Sequence, residues 1–431
     1  MLRSGGDDHV GARQGWWIAV VLAIAAWAAL PQSASAYTEQ TLYRFCALKK
    51  CGDGGHPYDL AMDAAGSLYG TTMSGGAHEY GTVFQFNPGT GAFDVLYSFC
   101  SEANCADGRW PFRVKLAIDT AGNLYGTASQ GGNANDAGIV FEMVRGSSGR
   151  QYKILYTFCA EVPCADGRIP ATGLTYVGAA SGTSYDGTSP LYGTAEFGGA
   201  HDRGVVFELK PRKSGEWAQK LLYTFCPGEN QCPDGLLPRV PLYADGAGNL
   251  YGATEIGGKH GNGIVFQLSR REKRYNYRVI HHFCAKDSCT DGASPFSELV
   301  QDGAGNLFGA ATNGGTFGHG LLFKLGPRDS AHWDYSILTT FDGNSGMRPV
   351  SLVLDPAGAL FGATAGGGAG FGGTLFRFDG ALETIYDFCP GRGCRDGASP
   401  DGLILDDQGN LFGGASDRGH HRGGTLFKLS P

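Results

Sequence analysis

The chain has 431 residues, with 71 glycines, 12% aromatic residues and only 17% charged residues, a balance that favours short strands and tight turns over helices. Its formal charge of −7 is spread without acidic or basic blocks, which argues against nucleic acid or anionic lipid as a partner. No segment sustains a 3.6-residue apolar period, so a helical architecture is excluded as well.

In chain order, the first element is a targeting segment. Arg3 and Arg13 precede an apolar run from Trp16 to Leu30, followed by Pro31 and the small residues Ser33-Ala34-Ser35-Ala36. This is the pattern of a secretory signal peptide cleaved after Ala36, and the run is shorter than the roughly 20 residues a spanning helix requires. The expectation is a secreted or periplasmic domain, residues 37–431, with no membrane span once the signal has gone; an uncleaved anchor is the other reading.

Everything that follows is one unit repeated. A Gly-x-(Val/Leu)-Phe element recurs at Gly81–Phe84, Gly138–Phe141, Gly204–Phe207, Gly263–Phe266, Gly320–Phe323, Gly373–Phe376 and Gly424–Phe427. A Leu-(Tyr/Phe)-Gly element precedes each, at Leu68, Leu124, Leu191, Leu250, Leu307, Leu360 and Leu411. The period is that of propellers or solenoids. The second unit offers four strands, Phe112–Ile118, Leu124–Ala128, Gly138–Val144 and Tyr152–Phe158, with Phe112, Val114, Leu116 and Ile118 on one face and Arg113 and Lys115 on the other. Asp-x-x-Gly-Asn runs such as Asp119–Asn123 supply the turn between the first two strands.

Four strands cannot bury both faces alone, so the units must stack face to face. Thr41–Cys46 copies a fourth strand, whereas the sequence stops at Pro431 after a third. That permutation predicts an all-β, seven-bladed propeller of four antiparallel strands per blade, closed by the N-terminal strand joining the last blade.

Twelve cysteines form six close pairs, Cys46/Cys51, Cys100/Cys105, Cys159/Cys164, Cys226/Cys232, Cys284/Cys289 and Cys389/Cys394, each after a fourth strand. The remaining copy, Phe341–Pro349, lacks both members, as local pairing requires. Disulfides of an oxidising compartment are expected, each worth about 2 kcal/mol on the chain-entropy model. Zinc needs four converging ligands, and these pairs are spread around a ring.

Disulfide loops and Gly-Gly loops should share one rim, the natural place for binding. Its Gly-Gly loops hold His78, His201, His260, His319 and His420-His421, candidates for a metal or an anionic polymer, though glycine-rich tips also tolerate ordinary polar residues. Glu196 and Glu255 stand at matching strand ends in adjacent units, where other copies have Met73, Ser129, Thr312, Ala365 and Ser416; such a pair offers acid/base chemistry on a glycoside, or is simply solvent-facing. The extra residues between Tyr176 and Pro190 read as a tolerated insertion. The Asp-Gly pairs after the cysteines read as turns rather than calcium sites. No nucleophile elbow, phosphate loop or dinucleotide fingerprint occurs, which argues against an enzyme; no cofactor or metal is expected.

The unit seen at Asp119–Thr127 and Leu155–Phe158 resembles the GloVer tandem repeat of bacterial extracytoplasmic proteins, and the resemblance covers the whole of residues 37–431. It implies an extracytoplasmic compartment and carries over no catalytic residues. Members of that family carry C-terminal anchors, whereas Phe427–Pro431 has no apolar tail, so release or retention by partners is implied. The expectation is a monomeric binding or scaffold module for a protein or glycan; the alternatives are a carbohydrate-active hydrolase or lyase and a metal-dependent adhesion protein.

Overall fold

Alternating apolar side chains and glycine-punctuated turns fold into seven antiparallel sheets in a computed structural model that describes residues 37–431 apart from 148, 229–231, 273 and 330–331. The expected signal segment, residues 1–36, lies outside the described residues. Blade 1 runs Gly55–Met62, Leu68–Ser74, Thr82–Phe86 and Phe93–Ser98; blades 2 to 6 repeat this order, and the molecule is a seven-bladed β-propeller. In blade 7, Thr38–Arg44 lies antiparallel to Thr425–Ser430, so the outermost strand of the last sheet comes from the start of the described chain.

Seven apolar clusters hold the sheets together, one at each seam between neighbours, and the cluster joining blades 7 and 1 (Phe45, Leu60, Phe84, Phe412, Leu426) is built like the other six. The repeated motif is explained at these seams. The glycine of each Gly-x-(Val/Leu)-Phe has φ between 87° and 104°, and a Cβ there would lie 2.5–2.8 Å from the Cδ of the proline that opens the next blade. Gly424 meets Pro57 in the same way as Gly81 meets Pro111. Only glycine allows both that backbone angle and that approach.

The residue before each such proline, His56, Trp110, Ile169, Leu237, Ser294, Arg348 or Ser399, is also left-handed, with φ between 53° and 60°. Each donates its N–H to a carbonyl in the preceding blade, from His56 to Gly423 at 2.7 Å through Leu237 to Arg203 at 3.3 Å. The strain of seven non-glycine residues at positive φ is therefore offset by seven hydrogen bonds across the seams.

Inner strands depart from the expected lengths. In blade 2 only Ala117–Ile118 pairs within the stretch 112–118, where Arg113 takes φ 53°. In blade 3 the inner strand shrinks to a Thr175–Tyr192 bridge, since the insertion leaves at Tyr176. That insertion is not a loose loop. Tyr185 is fully buried and exchanges backbone hydrogen bonds with Ile118 and Thr120 of blade 2.

Candidate functional site at the loop rim and the axis

One end of the propeller is a stapled rim. All six cysteine pairs are disulfides within their own loops: Cys46 with Cys51, Cys100 with Cys105, Cys159 with Cys164, Cys226 with Cys232, Cys284 with Cys289, and Cys389 with Cys394. No free cysteine remains among the described residues, so these side chains are structural staples and not ligands or nucleophiles.

Sequence reasoning gave the second cysteine of each pair no task beyond the bridge, and here the structure adds one. The backbone carbonyls of Cys51, Cys105, Cys164, Cys232, Cys289 and Cys394 accept the N–H groups of Gly76, Gly132, Gly199, Gly258, Gly315 and Gly419, at 2.8–3.1 Å. Each bond ties a disulfide loop to the neighbouring glycine-rich loop, which places both loop types on one rim as expected. The first cysteine of every pair is left-handed, with φ from 54° to 64°.

The aspartate of each Asp-Gly pair organises the loop it ends. Asp53 accepts hydrogen bonds from the Ala47 and Leu48 amides and from the Tyr43 hydroxyl at 2.9–3.1 Å. Asp107, Asp166, Asp234 and Asp396 accept from Tyr97, Tyr156, Tyr223 and Tyr386 in the same manner. Burial, then these carboxylates, raise the tyrosine hydroxyls well above their ordinary range. The cysteine-free loop of blade 6 is closed instead by the Ser345 amide and hydroxyl donating to Asp342, which lowers that carboxyl.

Histidines decorate the rim without converging. His78, His201, His260, His420 and His421 are exposed on their own loops and His319 is half-buried. His201 Nε2 lies 3.1 Å from the Pro227 carbonyl, and only the adjacent His420 and His421 meet, their rings 4.5 Å apart. No group of three or more metal-ligating side chains occurs among the described residues.

Glu196 and Glu255 are brought together. Arg239, from the segment that leads into the inner strand Tyr243–Ala244 of blade 4, places Nε 3.2 Å from Glu196 and donates from Nη1 to Glu255 at 2.9 Å. Glu196 is buried, and its carboxyl is raised by that burial against the pull of Arg239, with the negative charge of Glu255 adding to the rise.

Arg239 also leads to a second cluster that sequence reasoning missed. Side chains from the innermost segments of six blades line an axial void of about 10 Å³, room for roughly one water. Arg113 grips Asp401 through both guanidinium ends at 3.0 and 3.1 Å and lies 4.5 Å from the Phe296 ring. Lys115 reaches across the axis to Glu298 at 3.3 Å.

Asp59 faces this cluster, and its carboxyl is pushed up to about 7, first by burial and then by the negative charges of Asp401 and Glu298, with Arg113 and Lys115 opposing. Two glycines let the inner strands close on the axis: a Cβ on Gly402 would lie 2.4 Å from the Asp59 Cα, and one on Gly173 would lie 2.6 Å from the Lys115 carbonyl oxygen. Arg113 and Lys115 thus occupy the face opposite their apolar neighbours, as alternation requires, but that face is the axis rather than open solvent. The cluster ties blades 2, 5 and 7 to one another as spokes.

Residues 32–190 and 181–333 match the model of the Gloeobacter/Verrucomicrobia repeat. The chain belongs to that family. No curated protein matches it in sequence. Solved structures share the fold at low identity. An extracellular domain from B. thetaiotaomicron, assigned to a hybrid two-component system, aligns at TM-score 0.52 and 13% identity, over 92% of this chain and 41% of that one. A protein from Bacteroides uniformis assigned as a 6-phosphogluconolactonase aligns at TM-score 0.50 and 13% identity, over 84% of this chain and 98% of that one. For this member of the repeat family the likeness defines architecture, and no helix among the described residues is long and apolar enough to cross a membrane.

Proposed function

We propose that this repeat protein is an exported, non-catalytic binding module whose stapled rim presents apolar anchors to a protein or glycan partner. The observation that carries this reading is where its exposed apolar groups stand. Among the described residues the four most exposed large hydrophobics are Phe371 at 77%, Val162 at 74%, and Leu48 and Phe317 at 58%. All four lie on disulfide or Gly-Gly loops, at one end of the molecule. Loops fixed by a disulfide and a buried aspartate lose little entropy on docking, which favours recognition by a rigid surface. Exposed aromatic residues on such a surface are the usual anchors of an interface.

A carbohydrate-active enzyme is the second reading, favoured by the raised carboxyl of Glu196 beside Glu255. Its weakness is that Arg239 already engages both groups. One experiment separates the two: intact protein on a glycan array and against a polysaccharide panel, beside Phe317→Ser/Phe371→Ser and Glu196→Gln/Glu255→Gln. Binding lost with the phenylalanines, and no new reducing ends or unsaturated sugars, supports the module. Turnover abolished by the glutamine pair overturns it.

A further inference from the structure

At the end of the propeller opposite the stapled rim, blades 2 and 4 carry the same constellation in front of their following neighbours. In blade 2 the Tyr125 hydroxyl lies 3.0 Å from an Asp119 oxygen and 2.9 Å from a Glu142 oxygen, donating to one of them at a time, and Trp217 of blade 3 stands 6.2 Å away. In blade 4 the Tyr251 hydroxyl donates to Asp245 at 3.3 Å and accepts from Gln267 at 2.9 Å, and Trp333 of blade 5 stands 5.9 Å away. The turns Asp119–Asn123 and Asp245–Asn249 have the same internal hydrogen bonds.

The two seams differ in what fills them. At the first, the blade 3 insertion delivers Tyr185, whose ring meets Tyr125 at 5.1 Å and 84°. Its backbone is clamped on both sides, Tyr185 N–H to the Ile118 carbonyl and Thr120 N–H to the Tyr185 carbonyl, each at 3.0 Å. At the second, blade 5 turns directly through Asp302–Asn306 with no insertion, and a cleft of about 430 Å³ remains between the blades. Trp333 lines that cleft, and its indole N–H is buried without a hydrogen-bond partner. Gly246, the counterpart of Thr120, is exposed.

We propose that the cleft between blades 4 and 5 binds an extended segment of a partner protein that inserts one aromatic side chain, as Ser184-Tyr185-Asp186 does in cis two seams away. The partner's ring packs against Tyr251 and Trp333, and backbone pairing runs along 244–246. Arg271, exposed at the cleft, selects an acidic residue beside the aromatic one, in the place of Asp186. Addition of an extended peptide to strand-edge groups, with a pocket for one side chain, is an established mode of recognition.

The probe is the nonapeptide Ser-Gly-Thr-Ser-Tyr-Asp-Gly-Thr-Ser, residues 181–189 of this chain, capped at both ends and titrated calorimetrically into the whole protein. Saturable one-to-one binding is expected. It should weaken about tenfold or more with the peptide's tyrosine changed to alanine, and by a similar factor with Arg271→Glu, about 1.4 kcal/mol. Trp333→Phe keeps an aromatic side chain but trims the indole to a single ring, so it should weaken binding severalfold in a folded protein. The proposal is overturned if the peptide does not bind, if the alanine peptide binds equally well, or if neither variant changes the affinity. It is equally overturned if a neutral oligosaccharide, and not the peptide, occupies the cleft in a Trp333-dependent way. Rim variants such as Phe317→Ser should leave peptide binding unchanged, so this outcome is independent of the rim reading.

Discussion

Replacing His281 with tyrosine should stabilise the protein. Five other blades place a tyrosine at this fourth-strand position, and each donates its hydroxyl to the aspartate that ends the loop, at 2.6–3.0 Å. In blade 4 the imidazole stacks on Tyr335 at 3.8 Å and 6°, the geometry in which Tyr97 stacks on Tyr152 and Tyr223 on Tyr277, but its Nε2 is buried without a partner. Asp291 waits below it, its carboxylate accepting the Ala285 and Lys286 amides. A tyrosine would therefore fit the existing stack and add a hydrogen bond to a carboxylate, worth about 1.5–3 kcal/mol.

The pH dependence gives a second, independent reading of the same site. Burial lowers His281 from 6.5 to about 4, with His282 adding to the fall and Asp291 opposing it. A depressed histidine leaves stability intact above 6.5 and removes it as pH falls from there toward 4, because the unfolded chain binds the proton first. Between pH 8 and pH 5 this amounts to about 2 kcal/mol in the wild type, a contribution that His281→Tyr abolishes. Urea unfolding with disulfides intact, at pH 8 and pH 5, measures both effects. A variant no more stable than wild type at pH 8, or one whose advantage fails to grow at pH 5, would refute the reasoning.

Asp59→Asn should act in the opposite pH direction: a carboxyl raised from 3.8 to about 7 loses stability for the fold as pH rises through that window, so the variant should be more stable at pH 8 and show a flatter profile between pH 4 and 7. Asp401→Ala strands a buried Arg113 and should cost about 3–5 kcal/mol, read from the unfolding midpoint, while the double change Arg113→Met/Asp401→Leu should recover most of it. Gly263→Ala puts a Cβ 2.4 Å from the Thr254 carbonyl oxygen and 2.6 Å from the Pro295 Cδ at φ 96°, and a loss of about 3 kcal/mol or more is expected in the same assay. Converting Cys284 and Cys289 together to serine should cost about 2 kcal/mol and expose that loop to proteolysis, leaving the other blades resistant.

The scaffold was legible because its rules are local and recur. Gly-x-(Val/Leu)-Phe, the aspartate turns and the paired cysteines each announce a turn or a strand within a few residues, and seven copies make accidental agreement implausible. What lay outside this reading depends on contacts between units. Arg113 and Lys115 were placed correctly on the face opposite Val114 and Leu116, yet one strand says nothing of whether that face meets water or six other strands converging on an axis. A signal was present all the same. The residues preceding the inner-strand leucines, Asp59, Lys115, Gly173, Pro241, Glu298, Ser351 and Gly402, share no chemistry, whereas the leucines themselves never vary. A position that every blade could fill alike, but none does, must satisfy the others around a common centre: Lys115 needs Glu298, and two glycines are needed for the strands to meet. Tyr185 follows the same logic. As part of a glycine- and serine-rich stretch it reads as a tolerated insertion, and its burial depends on the Tyr125 ring and the backbone of the neighbouring blade. That is also why the equivalent seam at Tyr251, where no such segment arrives, is left open.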